Sequence, residues 1–131
     1  MPGGVNGSEV VRHVGNRRVR VSGRFFPNGN GAIDNTQNIG KTGWTVARTG
    51  VGQYTITLDR RFLKVMPMGS ELQLAALAVR SLQWGAITAT ATGWTFVLTC
   101  IDGTATAQEI AANANNSVSF DIEATQDTVI G

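Results

Sequence analysis

GWTVARTGVGQYTITL, residues 43–58, reads as two alternating arms joined by a glycine-marked turn. Trp44, Val46 and Arg48 share one face of the first arm, with Thr45, Ala47 and Thr49 on the other. In the second arm Tyr54, Ile56 and Leu58 stand opposite Gln53, Thr55 and Thr57. A period of two puts successive side chains on opposite faces of a pleated strand, where a helix would need 3.6. Between the arms, Gly50-Val51-Gly52 supplies residues free to take the positive φ of a tight hairpin. A Gly-x-Gly also opens some phosphate-binding loops, but here no helical pattern follows and no Lys-Ser or Lys-Thr pair completes one. The stretch is a β-hairpin.

The same alternation recurs on both sides of it. In Arg17 to Phe26, Val19, Val21 and Phe25 alternate with Arg18, Arg20 and Arg24, predicting a strand with one basic face. Pro27 to Gly40 carries the Asn-Gly steps of a long loop, of the kind that often binds a partner. Met66-Pro67-Met68-Gly69 reads as a break, since proline removes a ladder donor and argues against a central strand. Glu71 to Val79 and Gly85 to Ala91 read as further strands. Gly93 to Ile101 is apolar on both faces, as expected of a strand in the middle of a sandwich or at a subunit contact, and its Gly-Trp-Thr opening repeats that of residues 43–45. Within the polar stretch after it, Thr106 and Glu109 have the spacing of a capping box, predicting a turn or two of helix. Ser117 to Ala124 closes the pattern, with Val118, Phe120 and Ile122 inward and Ser119, Asp121 and Glu123 outward.

About seven or eight short strands separated by turn signals predict an all-β fold, an antiparallel, jelly-roll-like β-sandwich. At 131 residues the chain holds one core. Residues 1–16, rich in glycine and polar side chains, read as an extended N-terminal arm ordered only where something holds it, and residues 17–131 as the sandwich domain. No run approaches the ~18 apolar residues of a membrane span, and the opening residues lack the apolar core of a signal peptide, so no membrane is expected as a partner.

Charge is sparse, at 15% of residues, and lopsided. Residues 1–65 carry a net +7 and residues 66–131 a net −5. Such a chain is suited to meeting copies of itself, or an acidic protein surface, in fixed register. Arg12, Arg17, Arg18, Arg20 and Arg24 form the one concentration of charge and are the candidate partner-binding residues. Phosphates would also attract them, but no aromatic side chains are interleaved for base stacking and the other half of the chain is acidic. No nucleic acid is therefore expected.

Catalytic chemistry finds little to work with. His13 is the only histidine and has only Glu9 near it, short of a triad or zinc site. Asp121, Glu123 and Asp127 alternate along one strand, which makes them its solvated face before a calcium site. Cys100, the single cysteine, shares the face of Trp94, Phe96 and Leu98 and reads as a core thiol with nothing placed to activate it. Neither an enzyme nor a cofactor is expected.

Val46, Arg48, Gly50, Gly52, Tyr54 to Leu58 and Phe62, then Ala89-Thr90-Ala91 and Gly93 to Phe96, then Val118, Phe120 and Ile122 form a pattern over about three fifths of the chain. Over that span the chain resembles a β-sandwich module of bacteriophage virion proteins. The resemblance implies a capsid decoration (cement) protein, commonly a homotrimer, bound to the major capsid protein on the virion surface and made in the host cytoplasm. It equally implies a related fibre knob, in which Trp or Tyr would stack on receptor glycans. Decoration is favoured because no heptad shaft precedes the sandwich, which begins within about twenty residues of Met1. An oligonucleotide-binding barrel is the third reading. The segment Met66 to Gln83 and the arginine-bearing first third depart from the module's pattern.

Overall fold

The computed structural model describes residues 16–40 and 42–127. Eight strands follow one another: β1 Asn16–Phe25, β2 Ile39–Gly40, β3 Trp44–Gly50, β4 Gln53–Leu58, β5 Lys64–Gln73, β6 Ser81–Ala89, β7 Trp94–Ile101 and β8 Ser117–Asp127. They form two four-stranded antiparallel sheets, ordered β2-β1-β8-β5 and β3-β4-β7-β6, packed face to face as a β-sandwich. Residues 1–15 of the expected arm lie outside the described residues, and β1 begins at Asn16.

The alternation in the sequence is the alternation in burial. Val21 and Phe25 point inward from β1, while Arg18, Arg20 and Arg24 are exposed. The hairpin has the expected register, Trp44 facing Leu58, Val46 facing Ile56 and Arg48 facing Tyr54, with Gly52 at φ +59° in the turn. β7 lies between β4 and β6, with Phe96, Leu98 and Cys100 facing the core and Thr95, Val97, Thr99 and Ile101 half-buried on the outer face. Phe96, Leu98 and Cys100 are fully buried, and burial pushes the Cys100 thiol above its ordinary pKa, as befits a core group.

Aromatic rings bind the two layers together. Trp44, from the edge strand β3, meets Phe120 of the opposite sheet edge-on at 4.8 Å; Phe120 meets Phe96 at 5.5 Å, and Phe96 meets Trp84 at 5.3 Å. Each such pair adds ~0.5–1.5 kcal/mol beyond the area it buries. Trp44 reaches this place because Gly23 on β1 has no side chain: a Cβ there would come within 2.6 Å of indole Cε2.

Four local expectations need correction. Proline at 67 does not end the strand, because β5 is the outer strand of its sheet and its register against β8 slips at Met68, a bulge that removes the need for the missing N–H. The strand expected over Glu71 to Val79 stops at Gln73, and Leu74 to Arg80 leaves the sheet as a loop, with the Ala75 N–H donated to Asn116 Oδ1 at 2.7 Å. The helix expected after Thr106 is absent: among the described residues helical backbone is confined to the 3₁₀ turn Asn35–Gln37. The strand placed at Gly85 to Ala91 is instead Ser81–Ala89.

The long loop after β1 guards a sheet edge. Asn35 accepts the Val46 N–H at 2.8 Å and donates to the Val46 carbonyl at 3.1 Å, so one side-chain amide satisfies both backbone groups of an edge residue on β3.

Because Gly23 makes room for the ring that joins the sheets, Gly23→Ala is expected to destabilise the protein by ~1–3 kcal/mol, the usual cost of overpacking. Gly69→Ala, where a Cβ would have nothing within 4 Å, is expected to leave stability nearly unchanged. Equilibrium urea denaturation of the two variants checks the contrast.

Candidate docking surface

The outer face of the β2-β1-β8-β5 sheet collects the charge. Antiparallel pairing sets Asn16 opposite Asp127 and runs unbroken to Phe25 opposite Val118, so the basic face of β1 lies beside the acidic face of β8. Arg18 Nη1 lies 3.4 Å from Glu123 Oε1, and Arg20 Nε lies 3.4 Å from Asp121 Oδ1, each reaching diagonally to the carboxylate one pair along. Arg24 donates to Ser119 Oγ at 3.3 Å, with no carboxylate within 4 Å among the described residues. The side chain of Arg18 is 75% exposed and that of Arg20 54%. Ion pairs this exposed are worth ~0–1 kcal/mol, so solvent, salt or a better-placed carboxylate can replace either partner.

Of the five arginines singled out from the sequence, the structure brings Arg18, Arg20 and Arg24 into one row. Arg17 lies on β1 with its backbone opposite Gln126, and Arg12 is outside the described residues. The two carboxylates that sequence reading assigned to a solvated face stand within this row. Three arginines against two acids leave the row only weakly positive, and the acids would repel a phosphate backbone that the arginines attract.

A second charged group lies at the end of the sandwich where β3 turns into β4. The Glu109 carboxylate accepts from Arg48 through both Nε and Nη2, and from the Gly52 N–H at 2.9 Å. The Cys100 N–H donates to the Gly52 carbonyl at 2.8 Å and the Gly29 N–H to the Ile110 carbonyl at 2.8 Å. The loop between β7 and β8 is thereby tied to the hairpin on one side and to the loop after β1 on the other. The bonds from Arg48 and from the Gly52 N–H hold the Glu109 carboxyl below its ordinary pKa of 4.5. Asp102 starts this loop by accepting from the Thr104 hydroxyl and from the backbone N–H groups of Thr106 and Thr104, which lowers its pKa as well. Every oxygen is engaged within the chain, so this is a structural pin.

Exposed apolar side chains mark a third region, missed from the sequence. Seven large hydrophobic residues are exposed among those described, and five of them, Leu63, Met66, Met68, Leu77 and Val79, belong to β5 and the loops on either side of it. The available signal was the loss of alternation after Leu74, where Leu74 to Val79 runs apolar with three alanines and no strand partner to bury it. Among the described residues no three His, Cys, Asp or Glu come together as a metal site would require, and no helix is long and apolar enough to cross a membrane.

Comparison of the chain with protein families, with curated proteins and with solved structures finds no match.

The depressed pKa of Glu109 fixes a sign. Unfolded, the group titrates at its ordinary value; folded, it titrates lower, so its contribution to stability is complete above the ordinary carboxylate range and is lost as pH falls through the folded pKa. Glu109→Gln is expected to lower the melting temperature at neutral pH and to flatten its decline in acid, as read by thermal melts from pH 7 down to pH 3. The mixed charge of the arginine row gives a second expectation: only background binding of a generic oligonucleotide at physiological salt, measured by fluorescence anisotropy over a salt series.

Proposed function

We propose that this chain is a non-catalytic structural protein of a virion: a capsid decoration protein that binds and stabilises the shell of major capsid protein from outside. The observation that carries the proposal is the row Arg18, Arg20, Arg24 on the outer face of one rigid sheet, exposed and held only by weak, exchangeable partners. Guanidinium groups offer carboxylates planar, paired donors, and strands hold them at a fixed spacing that loops do not. The sequence resemblance to phage virion modules supplies the kind of partner. The protein would be made in the host cytoplasm and reside on the capsid surface.

The glycan-binding knob loses the feature that motivated it. Trp44 and Tyr54 are buried, Trp84 and Trp94 are half-buried with the Trp94 indole N–H donated to the Phe62 carbonyl at 2.9 Å, and none stands free as a platform for a sugar ring. An oligonucleotide-binding barrel fits less well, since the strands divide into two separate sheets and acids are interleaved with the arginines.

The test is attachment to purified shells that lack the protein. Arg18→Glu with Arg20→Glu is expected to keep the far-ultraviolet spectrum and to weaken attachment by about a hundredfold or more, since hydrogen bonds to charged groups are worth ~1.5–3 kcal/mol each. High salt is expected to weaken attachment of the unaltered protein in the same direction. Full occupancy by the double variant would overturn the assignment of this face.

A further inference from the structure

Four strands, β2, β5, β3 and β6, stand at the edges of the two sheets, and three of those edges are closed to a further strand. β2 is two residues long, β5 carries Pro67 and a bulge, and Asn35 occupies both backbone groups of Val46 on β3. β6 differs. Ser81–Ala89 holds no proline and no charged residue. Its first four residues pair with β7 in unbroken register, from Ser81 opposite Ile101 to Trp84 opposite Leu98, before a bulge between Trp84 and Ile87 interrupts the ladder. An edge strand turns the N–H and C=O of every second residue outward. Along Ser81 to Trp84 none of these groups meets a backbone partner elsewhere among the described residues.

This open stretch begins where the loop after β5 ends. The loop borders a cleft of about 370 Å³ lined by Leu72, Leu74, Ala76, Leu77 and Ala78, with Gln73 and Arg80 as its polar members. Arg80 immediately precedes Ser81, so the cleft and the free edge adjoin. The loop is held near both ends. The Ala75 N–H donates to Asn116 Oδ1 at 2.7 Å, and the amide of Asn116 donates in turn to the Ala111 carbonyl at 3.0 Å. Val79 lies against Gly103, where a Cβ would stand 3.2 Å from Val79 Cγ1. The cleft therefore need not be ordered at the moment of binding. Arg80 donates from Nη1 to the Val79 carbonyl at 2.8 Å and has no carboxylate within 4 Å among the described residues.

We propose that Ser81 to Trp84 and this cleft form a binding site for an extended peptide segment of another protein. The main chain of the segment adds to the edge of β6, one apolar side chain enters the cleft, and a neighbouring carboxylate meets Arg80. Each part of the site selects this occupant. A row of free N–H and C=O groups is matched by another backbone in extended form, which a lipid surface does not supply. A hollow walled by leucine and alanine takes an aliphatic or aromatic side chain. A guanidinium without an acid beside it takes a carboxylate. The site is on the other sheet from the arginine row and does not rest on the role proposed for that row.

Binding of fluorescein-labelled hexapeptides to the full chain, followed by fluorescence anisotropy, decides it. The set places Val, Leu, Ile, Phe or Met at one position and Asp, Glu, Asn or Lys at the next, in a threonine-rich background. Peptides with an acid after the apolar residue are expected to bind, and their lysine counterparts to bind roughly tenfold more weakly or worse. N-methylation of one alternate set of peptide amides is expected to abolish binding and of the other set to leave it, since only one set faces β6. Arg80→Glu is expected to reverse the preference between acid and lysine. Ala76→Trp, which fills the cleft, is expected to weaken binding roughly tenfold or more, as loss of an anchor pocket does. Both variants are expected to keep the far-ultraviolet spectrum. Arg18→Glu with Arg20→Glu is expected to leave peptide binding unchanged, so this site and the shell-binding face succeed or fail separately. No binding by any peptide of the set at millimolar concentration would overturn the inference. So would binding indifferent to N-methylation, the mark of mere adhesion to the exposed Leu77, or binding indifferent to Arg80→Glu. An oligomer of the unaltered chain that Ala76→Trp disperses, with no peptide bound, would give the cleft to a second copy and overturn it as well.

Discussion

The ten-residue antiparallel pairing of β1 with β8 is the constraint on which the rest depends. It joins the start of the described chain to its end, across some hundred residues, and makes the two strands the central pair of their sheet. Period-two alternation leaves no freedom in that register: a slip of one residue would carry Val21 and Phe25 out of the core and drive Arg20 and Arg24 into it, at a cost no surface pair could offset. The lopsided charge of the sequence finds its explanation here. A basic first half and an acidic second half meet within one molecule, along one strand pair, before any partner arrives.

What the sequence made legible was whatever depends on near neighbours. The inward positions Val21, Phe25, Trp44, Val46, Tyr54, Ile56, Phe96, Leu98, Val118, Phe120 and Ile122 follow from alternation alone, and all are buried. The failures have one physical source. Glu109 has the spacing of a capping box with Thr106, but a capping box adds only a local pair of bonds, and Arg48, 61 residues earlier, offers a charged and bidentate alternative. Pro67 reads as a terminator until the strand is known to lie on an edge. Leu74 to Val79 reads as buried strand because it is apolar, and no local property shows that neither sheet has a strand beside it to pair with. The arginine row was legible as residue types, while the carboxylates that temper it became visible only with the pairing of β1 and β8.

The two surfaces differ in character. The central pair presents charges whose mutual attraction is weak, suited to exchanging intramolecular partners for carboxylates on a larger assembly. β5 and the loop after it expose apolar side chains, Met66, Met68, Leu77 and Val79, among the charged residues Lys64, Glu71 and Arg80. Between them the aromatic chain Trp44, Phe120, Phe96 and Trp84 and the Glu109 pin hold both sheets and the loops at one end in a single rigid arrangement, so that neither surface must be ordered at the moment of binding.

The most direct test of the proposed role is a cryo-electron microscopy reconstruction of the particle from which the protein comes, at a resolution that places the two sheets. The expected result is density for the sandwich on the outside of the shell, with the β1–β8 face against major capsid protein. Density for the sandwich only at the tip of a fibre, or a shell complete without it, would contradict the assignment.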